Sequence, residues 1–297
     1  MNRRRLLTAL AAAALPFGVA AQRTPRRVAL LSASATSDDL REAIAALKLT
    51  VDARSAAGRF TQLDKLAAEA VRAKPDVIVA HETPAVAAAA KATQRIPIVM
   101  APASERVDGA NITGLVVDGT RYAAGVLNLV REVKGNARRI ALLANGDDPS
   151  SRALLASLNQ AAARIRVPVG VARVRGADDY EAAFAQWDRL RVQVVIVGPT
   201  AHVKRAADLA LRYRLPAIAL ASGFVEAGGL ASYSISSKEI VRRVPSYVER
   251  ILNGTRPRNL AVEPLGAFEL AVNLKTARAI EIDLPDGLLG RADAVIQ

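Results

Sequence analysis

The sequence predicts an α/β fold of two doubly wound parallel-sheet lobes joined by hinge crossovers, and three observations carry that expectation. Short β-branched and aliphatic runs alternate with amphipathic stretches along nearly the whole chain, the rhythm of parallel sheets with right-handed crossovers. Of the 297 residues, 51% are hydrophobic but only 4% aromatic, which suits strands buried on both faces beneath alanine-rich helices. The runs number about ten, large for one open sheet, and a chain of this length is enough for two medium domains.

The first segment reads as an address. Arg3, Arg4 and Arg5 form a positive start, 6–19 is an apolar run, and Val19-Ala20-Ala21 supplies small residues before a cleavage ahead of Gln22. The run is short for a membrane span. Arg3-Arg4-Arg5-Leu6-Leu7 also resembles a twin-arginine signal, with Asn2 where Ser or Thr is usual, so both export routes stay open.

The folded part begins with the run 28–31, ending in Ser32-Ala33-Ser34. A helix is expected at 38–48, a strand at 49–53, and a helix at 63–72 with Leu63, Leu66, Ala67, Ala70 and Val71 on one face. After Pro75 the run 76–80 is strongly strand-like. Thr83 as N-cap and Pro84 as first helical residue open a helix through 85–93. Strands at 96–100 and 112–117 follow. The rhythm then repeats, with helices at 122–133, 149–164, 179–190 and 200–213 and strands at 140–144, 167–174, 194–197 and 217–220. The glycine-rich stretch 223–229 is a loop or hinge candidate, and a helix near 238–253 is expected to return to the first lobe. The expected organisation is a signal peptide at 1–21, a first lobe of 22–117 plus 236–262, and a second lobe of 118–235 plus 263–297.

Composition excludes several function classes. There are no cysteines, hence no disulfide, thiolate metal site, cysteine nucleophile or lipid anchor on cysteine. Of two histidines, His81 and His202, neither has a second histidine one turn away, so no zinc motif is present and no metal is expected. No Gly-x-Gly-x-x-Gly follows the first strand, and there is no P-loop and no Gly-x-Ser-x-Gly elbow. The chain therefore reads as a non-enzyme without cofactor. The net charge of +13 is spread over short, distant arginine pairs; with few aromatics it describes a solvated basic surface, not a nucleic-acid platform. A DNA-binding regulator would need an N-terminal helix-turn-helix where the export signal stands.

Four stretches resemble the ABC transporter substrate-binding protein family, some of whose members bind aromatic amino acids. They are Pro75 to Ala80 with Thr83-Pro84 and Ile96-Pro97-Ile98-Val99; Asn111-Ile112-Thr113-Gly114; Leu215 to Ile218 with Phe224 to Leu230 and Ser232-Tyr233; and Phe268-Glu269-Leu270 with Asn273 to Ala277, Leu288-Leu289 and Arg291-Ala292-Asp293. They span nearly the whole mature chain in the family's order. The resemblance implies a type I periplasmic binding protein-like fold. It also implies a periplasmic monomer that captures a small ligand, an amino acid or similar metabolite, between closing lobes and hands it to a membrane permease. The sequence departs from the pattern at 36–51 and 101–110, which are shortened, and at His81-Glu82, where small residues are usual. A ligand sensor, or a relative with a degenerate cleft acting through a protein partner, is the alternative.

Ligands of open α/β sheets sit beyond the carboxyl ends of strands, which selects the candidate site. After the first strand come Ser32, Ser34 and Thr36, whose hydroxyls could hold a carboxylate or amide. After the third come His81, Glu82 and Thr83, at a helix start suited to anions; Thr83 either caps or touches ligand, and Glu82 either pairs with an ammonium or faces water. In the second lobe Asn145, Asp147, Ser150 and Ser151 resemble the family's Asn-Pro-Ser-Ser turn and either cap a helix or bind. Thr200, Ser222 and Phe224 lie on the same side. Phe224 and Tyr233 are divided between ligand stacking and hinge packing, and Trp187 is assigned to packing.

Overall fold

In the computed structural model of the protein, residues 25–34 and 38–297 are described. The expected signal peptide at 1–21 and the candidate Thr36 lie outside them.

The first half runs β1 (Arg27–Ser32), α1 (Asp38–Ala45), β2 (Thr50–Ser55), α2 (Leu63–Arg72), β3 (Val77–His81), α3 (Thr83–Ala92), β4 (Ile98–Ala103) and β5 (Ile112–Val117). The second half runs α4 (Gly119–Val133), β6 (Ile140–Asn145), α5 (Ser151–Ala163), β7 (Val169–Val174), α6 (Ala177–Arg189), β8 (Val194–Val197), α7 (Val203–Arg212), β9 (Ala217–Ala219) and β10 (Ala231–Ile235). The tail adds α8 (Ser237–Leu252), β11 (Val262–Leu265), β12 (Phe268–Asn273), α9 (Leu274–Ala279), α10 (Asp286–Leu289) and β13 (Ala294–Ile296).

The strands form two sheets. One has the order β2-β1-β3-β4-β5-β11 and is parallel throughout. The other has the order β7-β6-β8-β9-β10-β12-β13, with an antiparallel joint only between β10 and β12. Each sheet therefore reverses its winding at one place, between β1 and β3 in the first and between β6 and β8 in the second. The chain passes between sheets three times, at 117–119, 235–237 and 265–268.

Both faces of both sheets are covered. In β1, Ala29 and Leu31 pack with Ala67 and Val86 beneath α2 and α3, while Val28 and Leu30 pack with Leu40, Val244 and Val248 beneath α1 and α8. The second sheet divides its core in the same way around Leu142 and Ile196 on one face and Leu143 and Val197 on the other. This two-sided burial is why the strands are unbroken apolar runs and do not alternate.

Three expectations are corrected here. The stretch 223–229 is not a hinge: it is a run of turns between β9 and β10, which are neighbours in one sheet. Phe224 fills the core there at 0% exposure, leaving no room for a Cβ on Gly229, which would lie 2.1 Å from the ring. The first helix stops at Ala45 and Lys48 takes φ +60°, so 46–48 belong to a turn. The helix of 200–213 begins only at Val203, because Pro199 and Thr200 form a turn closed by Ala201 N–H to the carbonyl of Gly198 at 3.2 Å and His202 is the N-cap.

Candidate functional site

The carboxyl ends of the strands at both winding reversals face one cleft of about 1010 Å³. A reversal leaves adjacent helices on opposite faces and opens a crevice between their starts.

On the first sheet, the loop after β2 is woven to the loop after β1. Ser55 Oγ donates to the carbonyl of Ser34, Ala56 N–H to Ser32 at 3.0 Å and Gly58 N–H to Ala33 at 2.9 Å. Glu82 follows β3 in a backbone conformation that non-glycine residues rarely take, φ +72° and ψ 146°, at a cost of order 1–3 kcal/mol. Among the described residues its carboxylate is fixed by Ser34: Ser34 N–H donates to Oε2 at 2.7 Å and Ser34 Oγ to Oε1 at 2.8 Å. Beside it, His81 Nδ1 and Ser32 Oγ are buried without a hydrogen-bond partner among the described residues.

On the second sheet, the turn 145–151 closes on itself and on Thr200. Ser151 Oγ donates to the carbonyl of Asn145 at 3.1 Å, Asp147 N–H to Asn145 Oδ1 at 3.0 Å, and Asn145 Nδ2 to the carbonyl of Thr200 at 3.2 Å. Asp148 is buried and accepts three bonds: from Ser150 N–H at 2.9 Å, Ser150 Oγ at 2.6 Å and Thr200 Oγ1 at 2.8 Å. Asp147 stands exposed at the rim of the cleft and pairs with Arg175 at 2.9 Å. The Tyr180 hydroxyl accepts His202 N–H at 2.8 Å, and burial pushes the Tyr180 phenol above its ordinary value.

Of the expected residues, Ser34, His81 and Glu82 line the cleft from the first sheet, and Asn145, Asp147, Ser150, Ser151, Thr200 and Ser222 from the second. Four do not. Ser32 is 1% exposed on the strand below the opening. Thr83 is not a cap: Glu82 is the N-cap, and Thr83 Oγ1 instead accepts Ser104 N–H at 2.9 Å and Glu105 N–H at 3.3 Å, fastening the turn after β4. Phe224 is core. Tyr233 packs in a three-ring cluster, stacked on Tyr122 at 5.8 Å and tilted against Phe268 at 5.3 Å between ring centroids.

Several lining residues escaped the sequence reading. Arg59 and Phe60 follow β2, Glu105 follows β4, and Arg175 and Tyr180 follow β7. The carboxyl-end rule applied to those three strands would have found them. Asp148 was passed over for its neighbour, and no local signal tells which of two adjacent acids turns inward. Among the described residues, no group of three or more His, Asp or Glu side chains is placed to hold a metal ion. No described helix is long and apolar enough to cross a membrane.

The comparisons with known proteins agree with this architecture. The tyrosine-binding protein of Clostridioides difficile strain R20291 is 24% identical over 254 residues, covering 79% of this chain and 71% of that protein. A conserved domain protein from Vibrio cholerae superposes with a TM-score of 0.81 at 22% identity, over 92% of this chain and 100% of that one. An ABC domain from Streptococcus pneumoniae, solved in complex with L-Trp, gives a TM-score of 0.81 at 18% identity with the same coverage, 92% and 100%. These likenesses establish the type I periplasmic binding protein-like fold. The family described as ABC transporter substrate binding protein matches residues 37–296. The chain therefore belongs to the ABC transporter substrate-binding proteins, which bind their substrates and do not transform them.

Proposed function

We propose that this protein is the exported, periplasmic solute-binding component of an ABC importer. It captures a small nitrogen-bearing metabolite, an amino acid or a close relative, between its lobes and delivers it to a membrane permease. One observation carries the reading: a single cleft takes preorganised polar groups from the winding reversals of both sheets, so a ligand there touches both halves at once. Pockets of this size with a few convergent polar groups are the usual form of small-molecule sites. The tyrosine-binding and L-Trp-bound relatives support an amino-acid-like ligand.

The lobes divide at the three connections. The first comprises 25–34 and 38–117 with 237–265, and the second comprises 119–235 with 268–297. Ser34, Glu82, Asn145, Asp148, Ser150 and Thr200 form the polar lining that contacts the ligand. Export by a signal peptide cleaved near Ala21–Gln22 completes the assignment.

A thermal-shift screen of purified protein, stripped of carried-over ligand, against amino acids, amines, organic acids, nucleosides and sugars tests the function. A ligand at a hundredfold excess over its Kd adds about 2.7 kcal/mol of stability. A saturable shift is expected for a nitrogen-bearing class; a folded protein unmoved by every class sinks the reading.

A further inference from the structure

The binding role leaves the ligand's charge open, and the cleft itself narrows it. The protein carries a net +13. Its cleft, however, is lined by the carboxylates of Asp39, Glu82, Glu105, Asp147 and Asp148 against only two guanidinium groups, Arg59 and Arg175, among the described residues. Arg175 is already paired with Asp147. An acid-lined crevice focuses a negative potential whatever the sign of the outer surface.

Glu82 and Asp148 differ from the other three acids. Each follows a strand at a winding reversal, one in each sheet, and among the described residues each is bonded by neutral donors alone: Ser34 N–H and Oγ for Glu82, and Ser150 N–H and Oγ with Thr200 Oγ1 for Asp148. Neither has an ion-pair partner among the described residues. Closing the lobes around a neutral or anionic ligand brings two such carboxylates into a drier cleft, where like charges repel more strongly. A cation between them reverses the sign of that energy.

A second observation marks the same part of the cleft. Buried polar atoms are almost always paired, yet His81 Nδ1 and Ser32 Oγ are buried and have no partner among the described residues. The two residues lie opposite each other across β1 and β3, and His81 lines the cleft next to Glu82. Ser32 lies below the opening, but His81 lines it, so a ring nitrogen with unused hydrogen-bonding capacity stands next to Glu82 where a polar ligand group can reach it.

We propose that the cleft selects a net-cationic amine, with a protonated nitrogen held between Glu82 and Asp148 and a ligand carboxylate dispensable. This rests on the solute-binding reading above and states which charge the solute must carry.

Calorimetric titration with three decarboxylation pairs tests it: lysine and cadaverine, arginine and agmatine, tryptophan and tryptamine. In at least one pair the amine is expected to bind as tightly as the amino acid or more tightly. Acetylating the binding amine's nitrogens should abolish that binding. Glu82→Gln and Asp148→Asn should each weaken the amine tenfold or more, with the circular dichroism of the free protein unchanged; if Asp148→Asn does not fold, Glu82→Gln decides. If amino acids bind and their amines do not, the cation proposal fails while solute binding stands. Equal affinity in Glu82→Gln also overturns the proposal. Binding by none of the six overturns the cation proposal and leaves solute binding to be decided by the wider thermal-shift screen.

Discussion

Thr83 shows how far a residue's role can sit from its local pattern. Before a proline and an alanine-rich helix it reads as a cap, but its hydroxyl serves two N–H groups of the turn 104–105, some twenty residues on, a partner no local rule can see. Thr83→Ala is expected to cost about 1 kcal/mol in urea unfolding, with ligand affinity within twofold of the unmodified protein. Phe224 was divided between ligand and packing, and its complete burial decides for packing. Phe224→Ala is expected to cost about 3–5 kcal/mol, read as a lowered Tm. Ser34 and Glu82 were legible as cleft-lining residues because the strand ends face the cleft. Ser32 misses the opening because side chains two residues apart on a strand end differ in depth. The buried tyrosines give a pH prediction. Burial, followed by its hydrogen bond with Glu263, pushes Tyr247 up to about 12 from an ordinary 10.0, and burial also raises Tyr122 and Tyr233. Folding then favours the neutral phenol, so this stability is whole below pH 10.0 and is lost as the pH rises towards 12. Phenolate absorbance should therefore appear together with unfolding, and a free titration near the ordinary value in folded protein would contradict it.

Among the elements, β5 carries a constraint set by backbone atoms, which no side-chain movement relieves. Gly114 takes φ +120°, and a Cβ there would sit 2.5 Å from both the N and the O of Met100 on β4. Gly114→Ala is expected to cost about 3 kcal/mol or more, visible as loss of soluble protein or a steep fall in Tm. Helix α8 is started by Ser236, whose Oγ accepts Glu239 N–H at 3.4 Å and donates to Glu269 on β12 at 2.8 Å. Ser236→Ala removes a cap worth about 1 kcal/mol, and because Glu269 belongs to the other sheet it also loosens a connection between lobes. Helices such as α2 and strands such as β3 were plain in the sequence, since periodicity and unbroken apolar runs are local. The elements β10 to β13 were not: β11 and β13 are short, and β12 gains its strand character from antiparallel pairing to β10 across some thirty-five residues.

At the scale of the molecule, three aromatic rings gather where the chain changes sheet. Tyr122 follows the first passage, Tyr233 precedes the second and Phe268 follows the third, and Tyr122 lies 4.7 Å from Phe268 by ring centroids. The passages are stitched together by Asp118 N–H to Leu265 at 3.2 Å and Ser236 N–H to Ala267 at 3.1 Å. Such a joint allows rotation of two rigid lobes with little change inside either. The radius of gyration from solution scattering should fall when a saturating ligand is added, and an unchanged value would argue against closure. The sequence by itself determined the β-then-α alternation, the two-sided burial of the strands, the family and most of the polar strand ends. Each of these follows from short-range periodicity or from motifs in chain order. Only the tertiary structure decided that residues 223–229 are turns inside one sheet, that Asp148 and not Asp147 turns inward, and that the acids of both sheets share one cleft. Those outcomes depend on which distant groups, Thr200 for Asp148 and Ser34 for Glu82, the fold carries within hydrogen-bond reach.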